Sequence, residues 1–365
     1  MAELSRPADA APLYAPGRLC YGRSVASLSI PRSIILSRQD NIGDAVVTLP
    51  MAGWIKHHSP RTRITALVRA YTSPIWRQCR HIDEVLAVET LEESGDVAAI
   101  ARLNSLHADA MVVMPEWQLP TWVARADIPQ RVGKLTRWRN FLTCNIRPHV
   151  PRRGTGLHEA QLAIRLLAPF GIPCPDKVQD LWPFIGLSAP APAPRIRALL
   201  DPARINVVVH PMADRGMQWG LENFSALLEA LDPRRYHCLV TGTAKEAGAY
   251  QALLPLDRAN VTDTGGALDL EGLMQLIGAA NGLVACSTGP LHLAAAFGLP
   301  AIGLYSARPA RAPSRWGPIG PRAAALVFDE HCPDCARGAR CDCIRRIAPA
   351  RVVEALERAL APAVA

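Results

Sequence analysis

A chain of 365 residues is long enough for two domains, each with its own core, and 49% hydrophobic with 20% charged residues is the make-up of an ordinary soluble globular protein. The formal net charge of +8 favours an anionic partner: a phosphate-bearing ligand, nucleic acid or an acidic membrane surface. Ten cysteines are too few for a disulfide scaffold of this size; the six scattered ones read as reduced core residues, which fits the cytoplasm, and Arg6, Asp9 and several prolines before any apolar run argue against a secretory signal.

Residues 1–30 are rich in Pro and Ala and read as a loose arm. The first clear element is the apolar run Ser33 to Ser37, followed by the loop Arg38-Gln-Asp-Asn-Ile-Gly-Asp44 and an amphipathic helix from about Ala45 to His58. At the start of that helix the Asp44 carboxylate is favoured by the macrodipole, and it reads either as an N-cap or as a working carboxylate. Further strands are expected at Ile64 to Val68, Glu84 to Val88, Ala110 to Met114 and Arg131 to Lys134, with helices around Pro74 to Cys79, Val97 to Leu106 and Pro120 to Arg125. Such alternation predicts parallel βαβ units.

From Arg131 to Thr155 the chain carries seven cations, among them Arg137 and Arg139, with no acid, and Trp138 and Phe141 lie between them. That favours an anionic contact over a merely solvated loop; nucleic acid is not expected, since no helix-turn-helix, zinc-finger or RNP pattern accompanies the charge. A helix from Leu157 to Phe170 is expected to end at Gly171. The segment Pro183 to Pro202, with its Ala-Pro repeat at 189–194, reads as a semi-rigid linker between two lobes.

The second half repeats the alternation. Strands are expected at Ile205 to His210, His237 to Thr241 and Ala259 to Asp263, with helices from Glu222 to Leu231, from the Gly242 to Glu246 turn to Leu254, and from Asp269 to Ala279. The stretch Asn281 to Ser306 then reads strand, polar turn, helix, strand. Its turn, Ser287-Thr288-Gly289, stands at the start of a helix from Pro290 to Phe297, so free amides and the helix dipole make it a natural phosphate seat, to which His292 could also donate. An ordinary capped turn without a ligand is the other reading. Gly272 to Ala307 has no charged side chain, yet Asn281, the Ser-Thr-Gly turn, His292 and Pro300 interrupt it, so buried strands and helices are expected there and not a membrane span. The chain lacks G-x-G-x-x-G, a P-loop, HExxH and the Asp-x-Asp metal clamp.

Taken together, the pieces resemble glycosyltransferase family 9, the ADP-heptose:lipopolysaccharide heptosyltransferases. They are Arg38…Ile42-Gly43-Asp44…Thr48-Leu49-Pro50, His158-Glu159 with Gly171, His210-Pro211 with Trp219 and Phe224, Gly242 with Glu246, Thr264-Gly265 with Leu268, Ser287-Thr288-Gly289-Pro-Leu-His292, and Cys332-Pro-Asp-Cys335…Cys341-Asp-Cys343 with Ile347 and Val352. The resemblance implies an α/β protein of GT-B architecture, two Rossmann-like domains facing across a cleft. Residues 31–185 would be the acceptor-binding domain, 186–203 the linker, 204–330 the nucleotide-sugar domain, and 331–365 a Cys-rich loop and C-terminal helix.

By the same resemblance Asp44 is the general base of an inverting transfer that needs no metal or other cofactor, with ADP-heptose or a similar nucleotide sugar as donor. Ser287, Thr288, Gly289, His292, Glu246, Gly242, Arg215 and Gln218 would hold the donor. Arg38, Asn41, Gly43, Arg137 and Arg139 would meet an anionic, lipid-linked, lipopolysaccharide-type acceptor at the cytoplasmic face of the inner membrane. Two positions depart from the family pattern: Gln218 stands where a Lys is usual before the tryptophan, and Ser287 where an Asp precedes Thr/Ser-Gly. They leave room for a non-catalytic GT-B binding protein, or a nucleotide-sugar epimerase on the same fold. Cys332, Cys335, Cys341 and Cys343 could hold a tetrahedral Zn by ligand type, but their spacing is short for a standard zinc fold, so the cluster reads first as a structural feature of the tail.

Overall fold

The computed structural model describes residues 28–114, 121–136, 140–152, 154–213, 218–338 and 341–361. Two parallel sheets organise them. The first contains β1 (Ser33–Arg38), β2 (Arg63–Val68), β3 (Glu84–Ala87), β4 (Ala110–Met114) and β5 (Gln130–Val132), in the order β3-β2-β1-β4-β5. Ile34 stands opposite Ile64 on one side of β1, and Leu36 opposite Val112 on the other. The second contains β6 (Ile205–His210), β7 (Tyr236–Val240), β8 (Val261–Asp263), β9 (Gly282–Cys286), β10 (Ala301–Tyr305) and β11 (Ala323–Val327), in the order β8-β7-β6-β9-β10-β11.

Central strands such as β4, β6 and β9 are near-continuous apolar runs because helices cover both faces of each sheet. Each sheet winds outward in both directions from its first strand, so the strand order switches beside β1 and beside β6. Ligands of such sheets sit at that switch, beyond the carboxyl ends of the strands. Two Rossmann-like lobes opening onto one cleft are the GT-B arrangement.

Several boundaries differ from expectation for identifiable reasons. The helix after β1 runs Ile42–His58, so Asp44 lies inside its first turn and Asn41 holds the capping position. The expected Leu157 to Phe170 helix is an α-helix only over Glu159–Ile164, continuing as a 3₁₀ helix over Arg165–Phe170. Pro169 lacks the N–H that an α-helix would bond to Arg165. Gly171, with φ of 71°, ends it as expected. Val88, expected in β3, instead opens a short helix, Val88–Glu93.

The Pro/Ala segment is more than a tether. It holds a short helix, Pro194–Arg197, and Ala193 N–H donates to Gln275 Oε1 at 3.0 Å on the helix Leu270–Ala279. The C-terminal helix Pro349–Leu360 buries Val352 and Leu356 in the same core as Trp219 and Phe224. The uncharged stretch ends the 270–279 helix, then forms β9, the helix Gly289–Ala296 and β10. Among the described residues no helix is long and apolar enough to cross a membrane.

Candidate active site

Between the lobes lies a cleft of about 770 Å³, within the range of small-molecule sites. The first lobe contributes Asn41, Ile42, Gly43, Asp44, Tyr71 and Arg152. The second contributes the carboxyl ends of its strands and the turns that follow them, including His210, Thr241, Thr288 and Ser306.

Asp44 is not an N-cap. Its Oδ1 accepts from Arg38 Nη2 at 2.6 Å, and the same guanidinium nitrogen lies 3.1 Å from Asp40 Oδ2. The capping position, Asn41, makes no side-chain cap bond. Arg38 therefore differs from the expectation placed on it: it does not line the cleft, and its guanidinium is engaged by Asp40 and Asp44. The Tyr71 hydroxyl lies 3.0 Å from the Asp40 carbonyl and 3.1 Å from Asn41 Oδ1, which steadies the loop.

Across the cleft, the helix Gly289–Ala296 also begins without a side-chain cap. The Thr288 hydroxyl donates back to the Cys286 carbonyl at 3.2 Å, leaving the first-turn amides without a capping side chain. This helix start meets the start of the 42–58 helix. A Cβ on Gly289 would lie 2.6 Å from Ile42 Cβ, and one on Gly43 would lie 3.2 Å from His292 Cδ2. Glycine at both positions is what lets the two starts approach this closely.

His292 is buried in that contact, and burial, reinforced by nearby His158, pushes it down to about 3. At neutral pH it is an uncharged imidazole, a hydrogen-bonding group without positive charge. His158 caps the helix Glu159–Ile164 through Nδ1, which accepts from Ala160 N–H at 3.1 Å. Its proton is thus on Nε2, 2.9 Å from the Gly317 carbonyl of the other lobe. Burial pushes His158 down to about 4, although the bond to Gly317 and the Glu159 charge oppose this.

Residues 97–344 match the family model of glycosyltransferase family 9 (heptosyltransferase). The chain belongs to this family. It is 23% identical over 301 residues to a putative glycosyltransferase of Haemophilus influenzae, covering 78% of this chain and 86% of that one. It is 27% identical over 287 residues to lipopolysaccharide heptosyltransferase 3 of Escherichia coli, covering 73% and 81%. The solved ADP-heptose lipopolysaccharide heptosyltransferase II of E. coli shares its fold, with a TM-score of 0.70 at 21% identity over 90% of this chain and 98% of that one.

Other expected donor residues of this family 9 glycosyltransferase fall unevenly. Gly242 and Glu246 line the cleft, but Glu246 also closes a capping box: its Oε2 accepts from Thr243 N–H at 2.7 Å and from the Thr243 hydroxyl at 2.9 Å. Gln218 does not line the cleft; its amide donates to the Ala213 carbonyl at 3.1 Å. Arg215, Arg137 and Arg139 lie outside the described residues. Within the basic span, Arg131 is turned inward onto the carbonyls of Ile128 and Thr143, and Arg147 onto that of Cys144 and over the Phe141 ring. The reading of the whole span as a free anion-binding surface is corrected to that extent, and Arg152 enters the cleft.

Sequence reasoning missed Arg311 and Ser306, which also line the cleft, and gave His210 no role there. His210 is buried with Nδ1 3.1 Å from Thr241 Oγ1; burial lowers its pKa, partly opposed by the Glu246 charge.

The buried histidines set a pH dependence. Because His158 and His292 titrate below the ordinary 6.5, the unfolded chain takes up protons that the folded chain refuses as pH falls from about 6.5 toward 4. Each histidine should therefore lower the folded-to-unfolded ratio by up to about tenfold per pH unit in that window. Urea melts at pH 7.5, 6.0 and 5.0 check this; a midpoint that stays level or rises would mean these rings are charged in the native protein.

Proposed function

We propose that this family 9 glycosyltransferase moves a heptose or related sugar from an ADP-sugar donor to a hydroxyl of an anionic, lipopolysaccharide-type acceptor, inverting the anomeric carbon. The observation that carries the reading is the meeting of two helix starts in one cleft, with a carboxylate on one and free amides on the other. The acceptor oxygen forms its bond to the anomeric carbon while the bond to the diphosphate oxygen breaks. Asp44 takes the acceptor's proton. Charge develops on the departing diphosphate, where the Thr288 and Gly289 amides, the neutral His292 and Arg311 supply preorganised stabilisation. Leu268, Leu270 and Leu273 offer an apolar wall for the base, and Glu246 a carboxylate for the ribose hydroxyls.

Arg38 is read as the group that orients Asp44. Leaving-group stabilisation is assigned to the protein groups at Thr288, Gly289, His292 and Arg311. An acceptor of this type would place the work at the cytoplasmic face of the inner membrane.

The test is direct. Purified protein with ADP-heptose and a lipopolysaccharide core acceptor should give a product heavier by one heptosyl unit, of inverted anomeric configuration. Donor hydrolysis without transfer, or ADP no tighter than UDP, would defeat the reading. Arg311→Ala should weaken ADP binding about tenfold or more, since a hydrogen bond to a charged group contributes roughly 1.5–3 kcal/mol. Calorimetry showing unchanged affinity would move the diphosphate elsewhere.

A further inference from the structure

We infer that Cys332, Cys335, Cys341 and Cys343 form a tetrathiolate site for one zinc-like or iron-like ion, which braces the donor side of the cleft from behind. The four Sγ atoms lie within 4.8 Å of one another. Cys332 Sγ is 3.4 Å from Cys341 Sγ, and Cys335 Sγ is 3.4 Å from Cys343 Sγ. A tetrahedron with metal–sulfur bonds of about 2.3 Å has edges of about 3.8 Å, so an ion fits at the centre with the two 3.4 Å pairs opening by about 0.4 Å and the other separations closing by no more than about 1 Å. Disulfides would need each pair to close to about 2.05 Å.

The backbone supports a metal loop. Cys332 starts the turn Pro333–Ala336, and Gly338, at φ of 73°, reverses the chain with its N–H on the Cys335 carbonyl. The Cys343 N–H points at Cys341 Sγ at 3.4 Å, a donor of the kind that steadies a metal-bound thiolate. Three of the cysteines are buried, forming a small cluster apart from the main cores. An ion with four thiolates carries net negative charge, and the segment 331–346 has four arginines against two aspartates. Thiolate ligands select zinc, iron and copper(I) over magnesium or calcium.

What the site braces follows from its neighbours. Ala307 packs on the cysteines, and Ser306, Ala310 and Arg311 of the same loop line the cleft. Just beyond Cys343, Arg345 pairs with Glu222, its carbonyl accepts from Asn223 at 2.8 Å, and the Ile347 carbonyl accepts from Trp219 Nε1 at 2.8 Å. Losing the ion frees both the loop carrying Arg311 and the start of the helix Leu221–Ala230.

Full-length protein purified without added metal should carry about one equivalent of zinc or iron per chain by elemental analysis, and metal analysis tells which. After chelation, Co²⁺ alone should restore the absorption of tetrahedral cobalt thiolate. Cys335→Ser with Cys343→Ser should abolish both signals; if that variant does not fold, the wild-type metal content and cobalt spectrum still decide. Absence of stoichiometric metal overturns the proposal, whether intact mass is four hydrogens low, as two disulfides require, or four cysteines alkylate freely in the native protein. These readouts do not depend on which sugar is transferred, so the metal site and the donor assignment can fail separately. If both hold, chelation should weaken ADP binding several-fold while Asp44→Asn leaves it unchanged.

Discussion

Asp44→Asn should lower turnover about 10²–10⁴-fold, the usual contribution of a positioned general base, and leave ADP affinity within error. Asparagine keeps the size of the side chain and an oxygen that can still accept from Arg38 at the position now 2.6 Å away. The Arg38 charge retains Asp40 at 3.1 Å. The fold cost is a lost first-turn carboxylate, worth about 0.3–1 kcal/mol, together with the loss of one of the two charges that pair with Arg38. Steady-state transfer assays, calorimetry with ADP and a urea melt separate the cases. A variant of normal stability and normal turnover would reduce Asp44 to a structural partner of Arg38. A variant that binds ADP yet transfers nothing supports the base assignment, since the diphosphate site proposed above is on the other lobe.

Both sheets were legible in the chain because central parallel strands, buried on both faces, are apolar runs between polar turns, and ten of the eleven strands fall where the sequence places them. β11 was not. Ala323-Ala-Ala-Leu-Val327 is a half-exposed edge strand whose alanines carry no β signal, and it becomes a strand only by pairing with β10. The two turns that face each other, at Gly43-Asp44 and Thr288-Gly289, were readable as strand-loop-helix junctions. Their proximity was not, because it depends on how the lobes pack.

The same limit hid Arg311, which reaches the cleft from a loop after β10 with no local pattern to mark it. His210, Thr241 and Ser306 had a usable signal: they are polar residues at or just past the carboxyl ends of β6, β7 and β10, where ligands of such sheets gather. The capping box at Thr243 and Glu246 was also spelled out, as Thr-x-x-Glu before a helix, and it engages an oxygen that the resemblance alone would give wholly to the ribose.

Glu159→Ala should be among the most destabilising single changes in the chain, because this carboxylate ties the lobes together from inside. Its Oε1 accepts from Arg315 Nε of the second lobe at 2.6 Å and from Arg152 Nε of the first at 2.9 Å, and it is only 7% exposed. Removing it leaves Arg315, itself 13% exposed, as a buried cation without its partner. Breaking a buried pair from one side costs about 3–5 kcal/mol. Burial raises the Glu159 carboxyl, but Arg152 and Arg315 outweigh it, so its pKa lies below the ordinary value. The stability it contributes is therefore present above about pH 4.3 and lost as pH falls through the lower folded value. At pH 7 the urea midpoint of Glu159→Ala should fall by the full amount, and the difference from wild type should shrink in acid. Activity should fall with it even where the variant is folded, since Arg152 and the Arg315 neighbour Trp316 both line the cleft. Glu159→Gln, which keeps the acceptor but not the charge, should recover part of the stability. If Glu159→Ala proves as stable as wild type at pH 7, the lobes are held by the Gly43–Gly289 and His158–Gly317 contacts instead, and the ion pair adds nothing to them.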